Sequence, residues 1–89
     1  MKLSEAILRG CELAPRQISG AYLDARGGAC ALGAAYLGLN MHPQHNRLPD
    51  WVDKVDDAFC EAFGASIATA NDCGISREDI AGMLMAIGH

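Results

Sequence analysis

The stretch from Gly27 to Gly38, GGACALGAAYLG, restricts what this chain can fold into more than any other feature. Every residue in it except Tyr36 is Gly, Ala, Leu or Cys. Side chains this small do not fill a core on their own. They suit a loop wrapped around a phosphate, a seat for the Cys30 thiol, or a surface where two backbones come close. Gly28 and Gly33 have the G-x-x-x-x-G spacing of a phosphate loop, but Ala34 and Ala35 stand where Lys and then Ser or Thr would reach the phosphates and magnesium. The dinucleotide pattern G-x-G-x-x-G is absent as well. In ALGAAYLGL, Ala31 and Ala35 are four residues apart, as are Ala34 and Gly38. Small residues at that spacing leave a groove on a helix into which a second helix can press its backbone. The stretch therefore predicts a glycine turn followed by a close-packing helix over about 31–39, stopped at Asn40, which tolerates a left-handed conformation.

The remaining elements follow from periodicity. Leu3, Ile7 and Cys11 recur every fourth residue, with Leu8 widening the stripe and Glu5, Arg9 and Glu12 lying off it. This predicts a helix over about 3–13, weakened at Gly10 and ended by Pro15. Residues 17–30 hold the β-favouring Ile18, Tyr22 and Leu23 before Gly27 and Gly28, a pattern read as a minor β-hairpin. Residues 40–49 have two prolines and no period, and read as a loop. Asp50 is expected to cap a helix with Asp53 at the capping-box position, and Val52, Val55, Phe59 and Phe63 form its apolar stripe up to Gly64. The C-terminal segment reads as two helices around a turn at Cys73 and Gly74, with Ser76 capping the second and Ile80, Met83, Leu84 and Ile87 on its apolar face. The expected fold is mainly α: four to five short helices, the hairpin near residues 17–30, and a helix-turn-helix-like C-terminal pair, in one compact domain over residues 1–89.

Charge and cysteine usage narrow the function classes. Residues 1–49 carry a net charge of +2 and residues 50–89 a net of −6, giving −4 for the 89-residue chain. An acidic half repels phosphate backbones and attracts basic surfaces. The uncharged stretch 27–44 is broken by glycines and contains His42, so no membrane span is expected. Glu5 and Arg9 interrupt the apolar part of the N-terminus, which argues against a signal peptide and for a cytoplasmic address. Cys11, Cys30, Cys60 and Cys73 form no C-x-x-C pair, so they read as thiols acting as small hydrophobes. No cofactor is expected.

Three candidate sites compete with plainer readings. Cys30 falls at a predicted helix N-terminus, which favours thiolate, but a cysteine enzyme needs a base and the chain has only His42, His45 and His89. His42 and His45 are spaced i, i+3 across Pro43, with Asp50 five residues on, a weak metal pattern better read as a solvated loop. The segment TANDCGISREDIAGML has the small residue, glycine turn and apolar plugs of a helix-turn-helix. As a DNA reader it would present Ser76 and Arg77, yet Glu78 and Asp79 follow directly, and one arginine does not offset that charge against a duplex.

KLSEAI over residues 2–7, GACALGAA over 28–35 and NDCGISREDIA over 71–81 together resemble a family of small uncharacterised proteins common in bacterial prophages and phages. Members often carry a C-P-x-C pair in the region matching residues 41–60, where this chain has only Cys60, so a metal role for that pair does not transfer. The resemblance implies a phage-derived accessory protein of helical fold and no known function. The leading expectation is thus a small non-enzymatic protein that docks on another protein with a basic surface. Its candidate docking residues are Asp53, Asp56, Asp57, Glu61, Glu78 and Asp79. A homodimer is a further expectation, because an 89-residue core is small. The alternatives are a helix-turn-helix regulator of DNA and a cysteine-dependent enzyme.

Overall fold

The computed structural model describes all 89 residues. Five helices carry the fold: α1 (Leu3–Leu13), α2 (Ala31–Gly38), α3 (Asp50–Phe63), α4 (Ile67–Asp72) and α5 (Arg77–Ala86). Between α1 and α2 lie two strands of two residues each, β1 (Arg16–Gln17) and β2 (Gly28–Ala29).

The small-residue stretch does what its spacing predicts. A Cβ built on Gly10 of α1 would fall inside the radius of the Ala34 carbonyl oxygen, and a Cβ on Gly38 of α2 would do the same at the Ala6 carbonyl. The two helices therefore touch backbone to backbone at two places, with a glycine supplied from each side. Gly10 is a poor helix former when read alone, but it is what allows α2 to approach. Gly33 repeats the device, lying against the Tyr22 carbonyl. Ala6, Ala31, Ala34 and Ala35 are fully buried in this seam.

The expected hairpin is only half present, and the main pairing has the opposite sense. Arg16 and Gln17 pair with Gly28 and Ala29 in parallel register. An antiparallel bridge joins Leu23 to Ala29, with the Cys30 N–H donating to the Tyr22 carbonyl at 3.1 Å. Gly28–Ala29 thus sits between two short neighbours, and the β-favouring Ile18 and Tyr22 lie outside any strand. The turn before it is held by Asp24, whose Oδ1 accepts from the Arg26 and Gly28 N–H groups at 2.9 and 2.8 Å. Those bonds, with the ion pair to Arg16, hold the Asp24 carboxyl below its usual pKa.

The helix ends follow the sequence closely, with one shift. Ser66 and Ser76 cap α4 and α5, their Oγ atoms accepting from Thr69 N–H at 3.2 Å and Asp79 N–H at 3.0 Å. Cys30 caps α2, its Sγ accepting from Gly33 N–H at 3.3 Å. Gly64 and Asn40 adopt left-handed conformations, with φ of 80° and 58°. At α3 the cap is Pro49, with no side-chain bond, so Asp50 and Asp53 lie inside the first turn instead of capping it. Acidic residues there still favour the helix dipole. Leu3, Ile7, Val52, Phe59, Ile67, Ile80 and Leu84 complete a single core. The end of α5 is tied to the start of α1: the His89 carbonyl accepts from both the N–H and the hydroxyl of Ser4, each at 3.1 Å. No helix is long and apolar enough to cross a membrane.

Candidate functional site

Arg77 is the residue whose role the structure changes most. The sequence offers it as a contact to DNA, but it is 2% exposed. Its Nη1 donates to the Ala14 and Ala29 carbonyls at 2.6 and 3.1 Å, and its Nη2 donates to the Pro15 carbonyl at 2.7 Å. Ala14 is the C-terminal cap of α1, where carbonyls lack helical partners and the dipole is negative, so a guanidinium fits there. The Arg77 N–H donates to Gln17 Oε1 at 2.9 Å, and Gln17 Nε2 donates to the Ile75 carbonyl at 2.9 Å. Asn71, 1% exposed, adds a second tie: its Oδ1 accepts from Ala31 N–H at 3.0 Å and its Nδ2 donates to the Ile18 carbonyl at 2.8 Å. The end of α4 and the start of α5 are thereby clamped onto residues 14–31. Arg77 cannot reach a phosphate without breaking that clamp. Ser76, the other candidate DNA contact, has its hydroxyl engaged by the α5 cap. What the helix turns outward is Glu78 and Asp79.

The acidic candidates divide in a similar way. Asp53, Asp57 and Glu61 are exposed on the outer face of α3, spaced i, i+4, i+8, opposite the buried Val52, Val55 and Phe59. Asp56 is half-buried and structural, since its Oδ1 accepts from the Ile67 N–H at the start of α4 at 2.8 Å. The chain contains one ion pair, Arg16 with Asp24. No carboxylate on α3 or α5 has a cationic side chain within 4.0 Å.

Two neighbouring clefts share Tyr22 and Leu32. The larger, about 430 Å³, has Cys30, Ala68 and Asp72 on its walls. The sulfur of Cys30 accepts from Gly33 N–H. His42 and His45 lie on the 40–49 loop with ring centroids 5.5 Å apart, and His42 Nδ1 accepts from the Gln44 N–H of its own turn at 3.1 Å. No group of three or more His, Cys, Asp or Glu side chains converges anywhere in the fold. The smaller cleft, about 200 Å³, lies between α2 and the first turns of α3, with Tyr36, Arg47, Leu48, Val52, Asp53 and Asp56 among its walls. Tyr22 and Tyr36 meet edge to face there, with centroids 5.4 Å apart and planes at 69°. Neither this corner nor the Arg77 clamp is legible as a local motif, because each joins residues distant in sequence.

Cys11, expected as a buried thiol, is half-buried beside Arg77 and Glu78. Desolvation pushes its pKa to about 11, outweighing the attraction of the Arg77 guanidinium. Cys60 and Cys73 are exposed, against the expectation of buried thiols. No protein-family profile, no curated protein and no solved structure matches this chain.

Proposed function

We propose that the protein is a non-enzymatic docking module that binds a basic protein surface through the outer face of α3, in the phage-accessory setting that the sequence resemblance implies. The observation that carries this reading is the row Asp53, Asp57 and Glu61, presented on one face with no cation of the chain paired to it. A row of this kind repels itself, and a complementary surface relieves the repulsion while speeding encounter. The −6 charge of residues 50–89 acts in the same direction. The DNA-binding alternative loses its one candidate cation to the α5 clamp.

The test is capture from host extract after nuclease treatment, with wild type set against Asp53→Lys/Asp57→Lys/Glu61→Lys. A protein held by wild type, absent from the variant and released by salt supports α3 docking, since rim charges act mainly on encounter and are screened by salt. Equal capture by both proteins removes α3 from the interface. Retention that disappears with nuclease returns the DNA reading.

A further inference from the structure

The geometry points to the 200 Å³ cleft between α2 and α3 as the receptor for one arginine side chain of the docked partner. This rests on the docking reading above and specifies its anchor.

Three properties of the cleft select that occupant. Its volume lies below the roughly 300–1,000 Å³ of sites for whole small molecules, so it suits a single side chain. Its walls combine an aliphatic floor, Leu32 and Val52, with the corner formed by Tyr22 and Tyr36. Aromatic rings beside a carboxylate favour a planar guanidinium, which stacks and also pairs in a fork. Asp53 and Asp56 supply two carboxylates against the single charge of Arg47, and neither is ion-paired within the chain. One oxygen of Asp56 is spent on the Ile67 N–H, which leaves Asp53 as the main counter-charge.

A separate observation also marks this cleft as a binding site. Tyr36 is 94% buried, at 6% exposure, and its hydroxyl bonds to nothing in the chain. The one fully enclosed side-chain polar atom without a partner is Arg77 Nε, so the Tyr36 hydroxyl is open, and the surface that Tyr36 borders is this cleft. A buried phenol ordinarily finds a hydrogen-bond partner. Because Tyr36 lines this cleft and no group of the chain engages its hydroxyl, a guanidinium N–H seated there can donate to it.

The experiment is an NMR titration of the ¹⁵N-labelled protein with N-acetyl-arginine amide, alongside the lysine and norleucine analogues. The arginine probe is expected to shift Leu32, Tyr36 and Val52 more than the rest of the chain, with the lysine probe weaker and norleucine inert. Asp53→Asn should weaken binding about threefold, Tyr36→Phe by less, and Asp57→Asn should leave it unchanged. Arg47→Gln, which removes a like charge, should strengthen it about twofold. Shifts spread along α3 that respond equally to Asp57→Asn would overturn the inference, as would a norleucine probe that binds equally well. Weaker binding in Arg47→Gln would also overturn it, because an anion site responds that way. Failure here with capture still lost in Asp57→Lys/Glu61→Lys leaves α3 docking standing without this anchor. Failure of both removes the docking reading itself.

Discussion

The α1–α2 seam and the Arg77 clamp bury backbone by opposite means. In the seam, side chains are removed until carbonyls of one helix rest on glycines of the other, at Gly10 against Ala34 and at Gly38 against Ala6. In the clamp, a long cationic side chain is brought inside to meet the Ala14 and Pro15 carbonyls, which no helix or strand satisfies, and to add a second bond to the Ala29 carbonyl, which also accepts from the Ile18 N–H. The seam needs nothing between its partners, so an added atom breaks it. The clamp bridges a gap, so a removed group breaks it. The seam joins the two helices that flank the segment 14–31, and the clamp pins that segment from α5.

The clamp should be the more costly to damage. Arg77→Met keeps most of the side-chain length but leaves the Ala14 and Pro15 carbonyls without a donor and removes one of two bonds at Ala29, and is expected to cost about 3–5 kcal/mol in denaturant unfolding. A loss below about 1 kcal/mol would mean that water replaces the guanidinium and that the clamp is incidental. In the seam, Gly10→Ala adds one methyl group against an immobile carbonyl and should cost about 3 kcal/mol, the upper part of the overpacking range. Asn71→Ala removes the smaller tie to Ala31 and Ile18, and should cost about 1–3 kcal/mol.

The smaller effects sharpen the contrast. A methyl group added at Gly82, in the middle of α5, would meet nothing within 4 Å, so Gly82→Ala should stabilise the protein by about 0.5–1 kcal/mol. The same substitution then has opposite signs at Gly10 and Gly82, and thermal melts of the two variants read the difference directly. A pH effect belongs to Cys11 next to the clamp. Its pKa is higher in the folded chain, at about 11, than in the unfolded one, so the folded state holds the proton more tightly. Stability from this source is whole below the ordinary thiol pKa and falls as pH rises from there towards 11. Alkylation should accordingly be slower at Cys11 than at the exposed Cys60 and Cys73 near pH 8, as peptide mapping would show.

Much of this architecture is legible because it is local. The i, i+4 stripe of Leu3, Ile7 and Cys11 fixes α1, and Ser76 fixes the start of α5 through a bond that spans three residues. The fold class follows from such signals. The sense of the small sheet does not, because Arg16 and Gln17 are neither β-branched nor aromatic and are recruited by the clamp through Gln17. The candidate sites divide along the same line. Asp53, Asp57 and Glu61 are exposed because helical phase puts them opposite Val52, Val55 and Phe59. Asp56 and Arg77 look equally charged and equally available in the sequence, yet their partners, Ile67 and residues 14–29, lie 11 and up to 63 positions away.

The sequence by itself determined the helices, most of their caps and the small-residue face of α2, since periodicity, capping and side-chain size act within a few residues. Only the tertiary structure decided that Gly10 is a contact and not a flaw, that Arg77 is an internal cation, and that Tyr22 and Tyr36 form a corner beside Asp53. Each of these depends on which backbone groups are left without partners when the helices close, and that is settled only once distant segments have met.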